Sequence, residues 1–159
     1  MRLWNRFVKP KKTYPDRCAV YGIAGHALCL PQRSIETMFP VELASVQAET
    51  RDEQGLGLAA LTALDPTLPV EERLGDMRAG AVDFQNRIEM WRRDIGVGEK
   101  RFHRELCNVG ITRLDSGFEV RGWEPVRGKF AFELSKRAGA RVVVETEEAS
   151  NLGAAIQSV

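Results

Sequence analysis

The chain has 159 residues, of which 43% are hydrophobic and 28% charged, with a formal net charge of +1. That length suits one domain with a proper core, and that balance belongs to a folded chain rather than a disordered one. No apolar run approaches the ~20 residues needed to cross a bilayer, and residues 1–10 lack the apolar stretch and small-residue cleavage site of a secretory signal.

Three cysteines (Cys18, Cys29 and Cys107) are too few and too odd a set for a disulfide scaffold. The expected compartment is the cytoplasm. The near-neutral total hides a segregated pattern: residues 1–35 carry +6, 36–76 carry −7, 77–141 carry +5 and the remainder −3. A basic leading block can meet phosphate, an anionic protein surface or the chain's own acidic middle.

Residues 1–16 read as a basic amphipathic arm. Leu3, Trp4, Phe7 and Val8 fall on one helical face, with Arg2, Arg6 and Lys9 elsewhere. Pro10 stops the turn, and Lys11 and Lys12 open an extended linker. So short a helix is unstable alone in water, so its aromatic face needs a partner or its own fold to order it. Residues 17–30 then alternate around Ala24-Gly25-His26, which predicts a hairpin closed by Pro31.

Three helices are expected next, over 40–52, 56–64 and 69–95. The first begins at Pro40 and runs through good helix formers. The third carries the clearest period in the chain: Val70, Leu74, Met77, Ala81, Phe84, Ile88, Trp91 and Ile95 recur at steps of four and three. Acidic residues open it, arginines close it, and Gly96 and Gly98 end it. The uneven sizes along this stripe suit packing on a sheet better than a regular coiled coil.

The last third changes to a period of two. Strands are expected at 111–114, 118–123, 129–135 and 141–146, with Phe118, Val120, Phe132, Leu134, Val142 and Val144 on apolar faces. Residues 147–159 read as a small, polar C-terminal tail, and no internal repeat is apparent. The fold class is α+β: helices packed on a four-stranded antiparallel β-meander, with residues 17–146 as a single domain that begins with the hairpin and is preceded by the arm.

Chemistry is thinly marked. Cys18, His26, Cys29, His103 and Cys107 include every thiol and imidazole in the chain, the side chains that zinc prefers. Their spacing fits no standard ligand pattern, so core cysteines beside two incidental histidines are the expected reading and the five stay weak metal candidates. Gly55-Leu56-Gly57-Leu58-Ala59-Ala60 fits a dinucleotide fingerprint on paper, but a polar segment precedes it where a buried strand is required. No Walker loop, nucleophile elbow or H-E-x-x-H motif is present, and no motif implies a cofactor.

The leading expectation is therefore a non-catalytic assembly or interaction protein, a small subunit of a larger complex with a protein partner or as a homo-oligomer. Components of phage particles or other mobile elements offer an analogy at the level of general appearance. The arm residues Arg2, Trp4, Arg6, Phe7, Lys9, Lys11 and Lys12 are its candidate contact. A second expectation is a nucleic-acid-associated module using the arm and a basic face of Arg87, Arg92, Arg93, Lys100, Arg101 and Arg104. A third is a small Cys/His-dependent or zinc enzyme.

Overall fold

The computed structural model describes residues 15–34, 40–42, 46–65, 77–126 and 132–159, with side-chain environments for all of these except 15–16, 31–34, 40–42 and 77–84. Strand β1 (Pro15–Ile23) and β2 (His26–Ser34) form the expected hairpin. Both turn residues, Ala24 and Gly25, have positive φ, at 52° and 84°. A two-residue hairpin loop requires this so that its twist matches that of the strands. Pro31 does not close the hairpin; it lies within β2, paired with Cys18.

Residues 40–52 do not form the expected helix. They supply β3 (Pro40–Glu42) and β4 (Val46–Glu49), which lie end to end along the outer edge of β2. Helix α1 (Glu53–Ala63) starts at once, with the Asp52 side chain accepting a hydrogen bond from Gly55 N–H at 2.9 Å. Helix α2 (Met77–Asp94) fills the C-terminal part of the predicted long helix, whose first residues, 69–76, lie outside the described residues. Of its apolar stripe Ile88 and Trp91 are buried and Ile95 is half-buried. A short helix not anticipated from sequence, α3 (Glu99–Glu105), follows and buries Phe102.

Four strands complete the sheet: β5 (Cys107–Arg113), β6 (Phe118–Pro125), β7 (Phe132–Leu134) and β8 (Arg141–Val144). They are not four side-by-side strands of a meander. Strands β7 and β8 share the outer edge of β6, one opposite Trp123–Pro125 and the other opposite Phe118–Arg121. Strand β1 pairs antiparallel with β5, so the N-terminal hairpin is not separate but joins one eight-stranded antiparallel sheet.

Residues 147–159 are not a tail. They contain α4 (Ala149–Ser158), which buries Leu152, Ala155 and Ile156. Gln157 Nε2 also donates to the carbonyl of Thr50 at 2.8 Å, tying the helix to the turn before α1.

The chain therefore repeats itself, contrary to expectation: a hairpin, two short strands sharing its outer edge, then a helix, once as β1–β4 with α1 and once as β5–β8 with α4. The match extends to individual residues. Cys18, Val20, Ala27 and Cys29 on β1 and β2 correspond to Val109, Ile111, Phe118 and Val120 on β5 and β6, and all eight are buried in one cluster. The helices carry Leu56-Gly57-Leu58-Ala59 and Leu152-Gly153-Ala154-Ala155 at equivalent places. A pseudo-twofold axis between β1 and β5 relates the halves.

Helices α1 and α4 pack on one face of the sheet and on each other, closing this larger core. The other face is treated unequally. Over β1 and β2, Ala19, Tyr21, Ile23, Leu28 and Leu30 are covered by α2 and α3 through Ile88, Trp91, Val97, Phe102 and Leu106. Burying each large apolar side chain there contributes roughly 1.5–3 kcal/mol. Among the described residues no helix intervenes between β6 and α4, and the corresponding half has no such cover.

Candidate functional site

The sequence-derived candidates disperse in three dimensions. The arm residues Arg2, Trp4, Arg6, Phe7, Lys9, Lys11 and Lys12 lie outside the described residues. Cys18 and Cys29 are fully buried on neighbouring strands of the first hairpin. A hydrogen bond with the Cys29 thiol, reinforced by burial, holds the Cys18 thiol well above its ordinary range. His26 is exposed at the hairpin turn, His103 on α3, and Cys107 at the start of β5. Among the described residues no group of three His, Cys, Asp or Glu side chains is assembled that could hold a metal.

The basic face of α2 and α3 is laced with acids. Glu89 accepts from Arg92 Nε at 2.8 Å, from Arg92 Nη2 and from Arg93 Nε at 3.1 Å. The Arg92 hydrogen bonds, helped by Arg93, pull the Glu89 carboxyl from its ordinary 4.5 down to about 2. Arg92 also donates to the carbonyl of Val97 at 2.7 Å, locking the turn between the two helices. Glu105 takes Arg101 and Arg104, each at 2.8 Å, and its pKa is lowered by them. Four of the six candidate cations are thus held by two carboxylates, with Lys100 exposed and Arg87 engaged in contacts of its own.

The distinctive surface lies where the second half of the sheet lacks a helical cover. Strand register lays its side chains in three rows. Tyr21, Asn108, Trp123 and Leu134 form the first; Ala19, Gly110, Arg121 and Arg141 the second; Arg17, Thr112, Glu119 and Val143 the third. Of these, Arg17, Asn108, Glu119, Arg121, Trp123 and Leu134 line a groove of about 540 Å³, with Arg141 and Val143 beyond it on β8. The Trp123 indole lies across Gly110, where an added Cβ would fall 2.9 Å from its Nε1. Leu134 and Val143 are 41% and 43% exposed, and they add apolar surface to this face.

Charge on this face is unbalanced. Glu119 is shared by Arg141, at 2.7 Å, and Arg121, at 3.4 Å, while Arg17 stands exposed on β1, across β5 in the same row. Arg137 extends the basic rim, paired with Glu124 at 2.9 Å. The Asn108 side-chain carbonyl is buried without a hydrogen-bond partner among the described residues, at the border between the covered and open halves. An unpaired buried acceptor of this kind costs roughly 1–3 kcal/mol. Sequence reading passed over Asn108, Arg121, Trp123 and Arg141 and placed Arg17 with the basic arm, because only the strand pairing brings the five together.

No helix among the described residues is long and apolar enough to cross a membrane. No family model and no curated protein matches the sequence. Solved structures do match the fold. A protein of unknown function from Neisseria meningitidis superposes with a TM-score of 0.64 at 12% identity, over 92% of this chain and 93% of the other. A chain of the CdiA-CT/CdiI toxin and immunity complex from Yersinia pseudotuberculosis superposes with a TM-score of 0.63 at 9% identity, over 89% of this chain and 94% of the other. At such identities the likeness is one of fold, and it spans nearly the whole of each chain.

Proposed function

We propose that this chain is a non-catalytic binding protein that acts by occupying the surface of a protein partner, as one member of a two-component assembly such as a toxin and immunity pair. The observation that carries this reading is the end-to-end fold likeness to a chain of such a complex. The open half-face supports it, since an arginine-rich groove flanked by exposed Leu134 and Val143 has the mixed apolar and charged make-up of a recognition surface. The nucleic-acid alternative draws less support, because Arg92, Arg93, Arg101 and Arg104 are engaged by Glu89 and Glu105.

The test is the composition of the native particle. The tagged full-length chain, expressed at its natural level in its own host, is recovered gently and weighed by native mass spectrometry. The expected result is a second polypeptide at fixed stoichiometry. A bare 17.8 kDa monomer overturns the proposal, as does co-purifying nucleic acid with no protein. Removing residues 1–14, which precede β1, measures the share of the arm in holding the partner.

A further inference from the structure

The pseudo-twofold axis makes the open half-face informative, because it shows what the same positions do when a helix covers them. On the covered half the face is Ala19, Tyr21, Leu28 and Leu30, all buried beneath α2 and α3. Their counterparts on the open half are Gly110, Thr112, Glu119 and Arg121. The open half keeps Trp123, Leu134 and Val143 beside the charges.

We infer that the open half-face, centred on Trp123, Arg121 and Arg141, is the docking surface for an acidic segment of the protein partner, a segment that lays an apolar side chain against Trp123 and Leu134. This rests on the partner-binding reading above and adds its location and chemistry. Among the described residues, the guanidinium groups of Arg17, Arg121 and Arg141 share this face with one carboxylate, Glu119, so the surface gains by receiving carboxylates. Gly110, bare of a side chain, lets the Trp123 indole lie flat over the sheet, which fixes the ring as a platform for an apolar side chain.

Charge also argues against two other occupants. A second copy of the chain would set arginines against arginines across a twofold contact. The chain's own arm, with Arg2, Arg6, Lys9, Lys11 and Lys12, carries the same sign as the groove.

The probe is a 12-residue peptide alternating Glu with Leu, titrated into the full-length, isotope-labelled protein and followed by amide NMR shifts. A Lys–Leu peptide and a 12-nucleotide single-stranded RNA are run alongside. The acidic peptide is expected to shift amides over 108–112 and 119–123, with the Lys peptide at least tenfold weaker. Arg141→Glu and Arg121→Glu, both exposed side chains whose reversal leaves the core intact, are each expected to weaken it at least tenfold, and Arg93→Glu to leave it unchanged. Equal binding of the Lys peptide, preference for RNA, shifts elsewhere or no binding at millimolar peptide each overturns the proposal.

The same variants are then taken into the native particle. A partner that is present but held as tightly by Arg121→Glu and Arg141→Glu overturns the docking face while leaving the partner-binding reading intact. Absence of a partner from the unaltered protein overturns that reading itself, before any variant is made.

Discussion

Gly57 and Gly153 stand at matching places on α1 and α4, each pressed against the first residue of the other helix. A Cβ at Gly57 would fall 1.7 Å from the Ala149 carbonyl oxygen, and one at Gly153 would fall 1.8 Å from that of Glu53. The obstacle is backbone in both cases, so no side-chain rotation relieves it. Gly57→Ala and Gly153→Ala should each destabilise the fold by about 3 kcal/mol despite the better helix propensity of alanine. Urea unfolding measures this, with Gly98→Ala as control because nothing lies near its Cβ position. A loss below about 1 kcal/mol at both helix positions would disprove the close crossing.

Trp91 is the anchor of the smaller core, buried and edge-on to Phe102 with ring centroids 6.1 Å apart. Trp91→Ala should cost about 3–5 kcal/mol by opening a cavity beneath α2. Because the indole N–H has no hydrogen-bond partner among the described residues, Trp91→Phe should cost much less. Thermal unfolding of the two variants separates packing from polarity, and equal shifts would show that the N–H matters after all.

Glu89 lies off the apolar stripe, where sequence alone suggests that Glu89→Ala is nearly silent. Its ion pairs with Arg92 and Arg93 say otherwise. A folded-state pKa of about 2, below the ordinary 4.5, means that the carboxylate contributes stability above about pH 4.5 and loses it as pH falls toward 2. Carboxyl-detected NMR should place the Glu89 midpoint near 2, and Glu89→Gln should flatten the acid limb of the stability profile in that window. A midpoint near 4.5 would mean that the clamp is absent in solution.

Thiol chemistry should divide the cysteines. Cys18 and Cys29 are buried and Cys107 is exposed. Native protein should therefore give one fast reaction with a thiol reagent, abolished in Cys107→Ser, and three after denaturation. Elemental analysis of protein purified without chelator is expected to find no stoichiometric zinc. Fast reaction at Cys18 or Cys29 would show that the first hairpin opens readily.

The sequence showed its helical and alternating periods well wherever one face alone is buried. Ile88 and Trp91 repeat at helical spacing because one side of α2 meets the sheet, and Phe118 with Val120 marks the core side of β6. Residues 40–52 misled because local propensity favours helix, whereas β2 offers an edge that pairs Val46–Glu49 as a strand. The trace of that outcome is the alternation of half-buried Val46 and Ala48 with exposed Gln47 and Glu49. The C-terminal helix was obscured by its small residues, and its sign was the recurrence of Leu-Gly-x-Ala at 56–59 and 152–155. Glycine in the first of these resembled a phosphate-binding loop, but its use is to let two helices touch. The open half-face could not be read at all, since Arg17, Asn108 and Arg141 meet only through pairings distant in sequence.

The pairing of β1 with β5 and the crossing of α1 over α4 are both contacts between corresponding parts of the two halves. Either half in isolation would carry a strand edge and a glycine-notched helix complementary to a second copy of itself. A fragment spanning residues 107–159 therefore holds the instructions for a symmetric homodimer, with β5 beside its twin and Gly153 against the Ala149 carbonyl of the other copy. The intact chain avoids this because its own first half is always at hand, tethered at an effective concentration that no free fragment matches. On this view the linking region through α2 and α3 does more than connect: it covers one half-face with helices and thereby decides which of two otherwise equivalent surfaces stays open to the outside.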